Sequence, residues 1–60
     1  MMPPHVDPWL VSMRLEFGWT AQQIADDTGE SVMMLVHLLA VHGCPDLSVR
    51  LAKAALGVRT

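Results

Sequence analysis

Positive charge is scarce in this chain of 60 residues. Only Arg14, Arg50, Lys53 and Arg59 are basic, against six acidic residues, for a formal net charge of −2. That balance is a poor electrostatic footprint for a nucleic-acid binder, whose affinity rests on neutralising phosphates. Cysteine is nearly absent as well. Cys44 stands alone, so no internal disulfide can brace the fold, and a reducing cytoplasm is the expected setting. There is no Cx2C or HxxxH pairing, and His37 and His42, five positions apart, lie about 140° apart round a helix. No metal site is therefore expected from them and Cys44. No glycine-rich phosphate loop is present, and adjacent Asp26 and Asp27 point about 100° apart on a helix. With so little chain to enclose a substrate, an enzyme is not expected, nor a cofactor or small-molecule substrate. Long apolar runs are also missing. The longest, over residues 32–41, is broken by His37 and falls far short of the ~20 residues of a membrane span. The chain starts Met-Met-Pro-Pro-His, without the basic start and apolar stretch of a signal peptide. The expectation is a soluble intracellular domain without a membrane partner.

What the chain has in quantity is apolar surface. At 52% hydrophobic and 17% charged residues, disorder is excluded, and a domain this small must leave much of that surface outside its core. Residues 1–6, with two prolines, read as an extended lead-in, and residues 7–60 as one domain. Asp7 caps a first helix with Pro8 in its first turn. Val6, Leu10, Met13 and Phe17 fall on one stripe, predicted to face the core, and Gly18 ends the helix. Thr20 with Gln23 is a capping-box pair that starts a second helix over 21–28, with Ile24, Ala25 and Thr28 on one face. Gly29 breaks the pattern, and Ser31 caps a third helix over 32–41 that Gly43 and Pro45 terminate. Asp46 is predicted to cap a fourth helix over 47–56, with Leu47, Leu51, Ala54 and Ala55 inward and Arg50 and Lys53 outward. The predicted fold is a compact all-α bundle of about four short helices.

The stretch over residues 20–40, "TAQQIADDTGESVMMLVHLLA", carries Ile24-Ala25, then Gly29 four residues after the alanine, then Leu35 and Leu38. Physical reasons suit that spacing. A small Ala25 permits close helix approach, Gly29 turns the chain, and the leucines pack the second helix on the first. This stretch resembles the helix-turn-helix of small bacterial and phage DNA-binding proteins. The resemblance covers about a third of the chain, and Trp19 just before it also looks family-like. It implies a DNA-associated regulator in a bacterial or phage-infected cell, with double-stranded DNA as partner. Groove-facing positions would then be Ser31, Val32, Met33, Val36, His37 and Ala40.

Residue chemistry pulls the other way. Base readout uses bidentate donors and acceptors, and of these positions only Ser31 and His37 can hydrogen-bond. Residues 15–49 contain no Lys or Arg but hold Glu16, Asp26, Asp27, Glu30 and Asp46, so phosphate contact falls to Arg50, Lys53 and Arg59. If Leu35 centres the buried face of the third helix, Leu38, Leu39 and either Val32 or Val41 share it. Met33, Val36, His37 and Ala40 then lie outward, joined by one or two of Trp9, Val11 and Leu15 from the outer face of the first helix. Exposed apolar surface of this kind marks an interface. Two functions stay open: a DNA-associated regulator acting as a dimer or with a partner, and a protein-interaction module, homodimeric or bound to another protein.

Overall fold

The computed structural model describes residues 2–57, which form α1 (Pro8–Glu16), α2 (Ala21–Thr28), α3 (Val32–Val41) and α4 (Pro45–Ala55). No strand occurs among them, and the all-α bundle expected from the sequence is the observed fold.

Local chemistry sets the boundaries. The Asp7 carboxylate accepts from the Trp9 backbone N–H at 3.0 Å, with Pro8 behind it at the first turn. At α2 the capping box closes in both directions. Thr20 Oγ1 accepts from Gln23 N–H at 3.1 Å, and Gln23 Oε1 accepts from Thr20 N–H at 2.9 Å. Ser31 Oγ accepts from Met34 N–H at 3.1 Å to open α3. The start of α4 differs from the expectation. Cys44 occupies the cap position without a side-chain hydrogen bond, Pro45 follows, and Asp46 lies inside the first turn. Proline's fixed φ begins the helix two residues early, and Asp46 there still complements the positive end of the helix dipole.

Among the described residues the core consists of Val6, Val11, Ala21, Ile24, Ala25, Leu35, Leu39 and Leu51. The most extensive helix pair is α3 with α4, and Ser48 fixes it. This buried serine donates its hydroxyl to the Val36 carbonyl at 2.6 Å, a bond from α4 into the middle of α3. Leu47 and Ala54 pack beside it against the core, whereas Ala55 is exposed, contrary to the expected inward face. Val6 is buried and its N–H donates to the Pro3 carbonyl at 3.0 Å, so the lead-in folds back onto the core instead of standing clear of it.

The orientation of α1 overturns a sequence expectation. Val11 is the buried residue of this helix and Leu15 packs beside it against the core, while Phe17 is 75% exposed and Trp9 64%. The stripe Leu10, Met13 and Phe17 does not face inward. Helix α1 carries apolar residues on two opposite faces, and it is the Val11–Leu15 side that meets α2 and α4. Val11→Ala should therefore cost about 2 kcal/mol, whereas Phe17→Ala should stay within about 0.5 kcal/mol. Thermal unfolding followed by circular dichroism at low protein concentration separates the two. Equal losses would return Phe17 to the core.

Candidate functional site

The connection from α2 to α3 occupies three residues, Gly29, Glu30 and Ser31. Gly29 has φ +81° and its N–H donates to the Ala25 carbonyl at 3.0 Å, which ends α2 in a left-handed turn. Thr28 reinforces the turn: its hydroxyl donates to the Ala25 carbonyl at 2.8 Å and accepts from Glu30 N–H at 3.2 Å. Ile24, Ala25, Leu35 and Leu39 are fully buried, so the two helices meet through a close-packed apolar contact. At about 100° per residue, Leu35 and Leu39 define the inner face of α3, and Met33, His37 and Ala40 lie opposite. These three are exposed, as are Met34 and Val41. The outer face of α3 is a run of apolar side chains with one imidazole in its centre.

The predicted residues separate accordingly. Ser31 is exposed, although its hydroxyl already serves as the helix cap. Val32 and Val36 are half-buried and pack against the core, so Val36 is withdrawn from the outer face on which the sequence placed it. Its carbonyl is the acceptor of Ser48, and α4 covers that side of α3. Leu15 is likewise packed against the core and is not free surface, because α1 turns its Val11–Leu15 side inward. Val41 is 59% exposed, so Val32 and not Val41 completes the inner face. Trp9 and Met33 are exposed as expected. Arg50 and Lys53 are exposed on α4, with Arg50 Nη1 donating to Ser12 Oγ at 3.3 Å. Arg59 lies outside the described residues.

Two contacts that the sequence did not reveal change the electrostatics of the turn. Arg14 of α1 pairs with Asp27 of α2 and lies over the Trp19 ring, 4.5 Å from its centre. His5 Nε2 meets Glu30 Oε2 at 2.6 Å, tying the lead-in to the α2–α3 turn. The segment that reads as uniformly acidic thus receives one cation and one imidazole from outside it. No spacing rule links residue 14 to 27 or 5 to 30. Only the seating of α1 and the lead-in creates these pairs.

The chain matches no family model, no curated protein and no solved structure. Its functional reading therefore rests on its own chemistry. An open groove of about 590 Å³ runs between the start of α2 and the end of α4, lined by Thr20, Ala21, Gln22, Val32, Ala54, Ala55, Leu56 and Gly57. No titratable side chain lines it, and the Thr20 hydroxyl is engaged in its cap. Among the described residues no three His, Cys, Asp or Glu side chains converge as a metal site, and no helix is long and apolar enough to cross a membrane.

Gly29→Ala should destabilise the domain by about 1 kcal/mol, because a Cβ is strained at this φ although the space around it is open. In a chain of this size that is a fall in Tm of roughly 8 °C. An unchanged Tm would show that the left-handed turn does not constrain α3.

Proposed function

We propose that this chain is a DNA-associated regulator of the helix-turn-helix kind, acting as a dimer or beside a partner protein. The observation that carries the reading is the three-residue turn over a fully buried Ala25, from which α3 projects with its outer face uncovered. A helix held this way fits a major groove. Its own side chains offer little hydrogen-bonded readout: Met33 and Ala40 suit thymine methyl groups, and His37 is the one outer donor or acceptor beyond the Ser31 cap. Phosphate contact falls to Lys53 and Arg50 on α4, with Arg59 as a further candidate, and the Arg14–Asp27 pair lowers the repulsion beside the motif.

The expected signature is weak, strongly salt-dependent binding. A mixed-sequence duplex should be shifted at about 50 mM salt and released near 200 mM. Lys53→Ala with Arg50→Ala should reduce the dependence of log affinity on log salt by about 2 for each copy bound. A duplex left unshifted at low salt, or a salt response untouched by the double change, overturns the DNA reading.

One observation favours a second reading, a protein-interaction module. Met33 is 83% exposed and stands with Met34, Val41 and Ala40 on the same outer side of α3. Methionine surfaces adapt to a partner's shape, and a face with one polar group is poor for DNA but ordinary for the centre of a protein contact. In this case Met33→Glu with Ala40→Glu should abolish partner or self-association and leave Tm within a few degrees, since both positions are exposed. Association that survives the double change places the contact elsewhere.

A further inference from the structure

We infer that the outer face of α1 is a self-complementary contact through which two copies of this chain pair antiparallel. The inference stands independently of any DNA reading and uses no residue of α3.

Val11 and Leu15 set the inward direction of α1. At about 100° per residue, Met13 points almost directly away from them, with Trp9 and Phe17 on either side of it and Leu10 beside Phe17. Trp9 and Phe17 are 64% and 75% exposed, and Leu10 and Met13 are half-buried. The helix therefore has a second apolar stripe with no helix of its own fold packed on it.

Three features point to a second copy as the occupant. The first is register. Trp9 and Phe17 are each four residues from Met13, so a two-fold axis at Met13 sets Met13 against its own symmetry mate and brings each Trp9 to the axial level of the other copy's Phe17, on the opposite flank of the contact. Met13 adapts its shape to that contact, and the exposed rings of Trp9 and Phe17 border it on its two flanks.

The second feature is charge. Such an axis keeps each flank of α1 against the same flank of the other copy. Ser12 and Glu16 share one flank, and the Arg50–Ser12 hydrogen bond brings the guanidinium to the level of Ser12. Position 12 of one copy faces position 14 of the other, so each Arg50 comes within about two residue rises, ~3 Å along the axis, of the other copy's Glu16. Among the described residues Glu16 makes no ion pair within its own chain, and Arg50 meets no carboxylate. The two-fold supplies each with its opposite charge, twice.

The third feature is area. A standard interface takes about 800 Å² per partner, a fifth of the 4059 Å² surface of this domain. At about 200 Å² per aromatic side chain, Trp9 and Phe17 alone offer roughly 300 Å². Leu10, Met13 and the Glu16–Arg50 flank add to this, and the contact stays below the standard size, in the class of weak, transient interfaces.

Sedimentation equilibrium of the full chain from about 5 to 500 µM, the range in which weak reversible pairing is read, tests the inference. The mass should rise from monomer to dimer, and Met13→Arg, which sets like charges on the axis, should hold it at monomer. Glu16→Arg and Arg50→Glu should each weaken pairing about tenfold, and the two together should restore it. As an independent readout, Met13→Cys in a Cys44→Ser background should form a disulfide-linked dimer on mild oxidation, whereas Met33→Cys should not. A monomer at the highest concentration overturns the inference. So does a dimer indifferent to Met13→Arg, or a charge swap that fails to restore pairing.

Discussion

The packing of α4 across α3 is the constraint on which the rest of this small domain depends. Leu35 and Leu39 from one helix and Leu51 from the other are fully buried, and Ser48 ties its hydroxyl to the Val36 carbonyl between them. That bond does more than add about 1 kcal/mol. A serine hydroxyl buried at this depth needs an acceptor, so it sets the register in which α4 can lie on α3. Once α4 is seated, Val32 and Val36 are covered from one side, and Met33, His37 and Ala40 are left as the uncovered face. The surface available to a partner is thus decided by a polar contact on the opposite side of the helix.

The remaining elements attach to this pair with less burial. Helix α2 brings Ala21, Ile24 and Ala25 into the core, and α1 brings only Val11 with Leu15 beside it. Polar ties hold α1 at its edges: Arg14 to Asp27 and Arg50 to Ser12. A chain of 60 residues has too much surface for its volume to bury all of its apolar side chains. Much of the excess lies on the outer faces of α1 and α3, with Trp19, Val49 and Leu56 exposed elsewhere, and grouped apolar surface of this sort is what contacts are made from.

Helices α2 and α3 were legible from the sequence because strong local chemistry marks their ends. The Thr20–Gln23 box, the turn at Gly29 and the Ser31 cap each satisfy backbone groups that only one boundary leaves unpaired. Helix α1 was not legible in the same way. Leu10, Met13 and Phe17 form one apolar stripe and Val11 and Leu15 another, and periodicity cannot say which meets the core. The answer depends on the shape of the seat left by α2 and α4, a tertiary property. Ser48 was missed for a related reason: a polar residue enters a core only when a distant acceptor waits for it. At the site, the exposure of Met33, His37 and Ala40 followed from the spacing of Leu35 and Leu39. The withdrawal of Val36 and Leu15, and the Arg14–Asp27 and His5–Glu30 pairs, required knowing how separate elements meet.

The two uncovered faces bear on each other energetically. A lone copy with Lys53 and Arg50 as its described cations near a duplex has a small phosphate term, and α3 adds few directional contacts. Pairing through α1 would convert the second copy's attachment into an intramolecular event, multiplying weak contacts without any new one within either copy. The same pairing draws Arg50 towards Glu16 of the other copy and so diminishes its share of the phosphate contact, leaving Lys53 as the cation outside the pairing surface. The scarcity of basic residues therefore does not argue in one direction only. It weakens a single domain on DNA, and it favours two copies, or a copy beside a partner protein, over one copy alone.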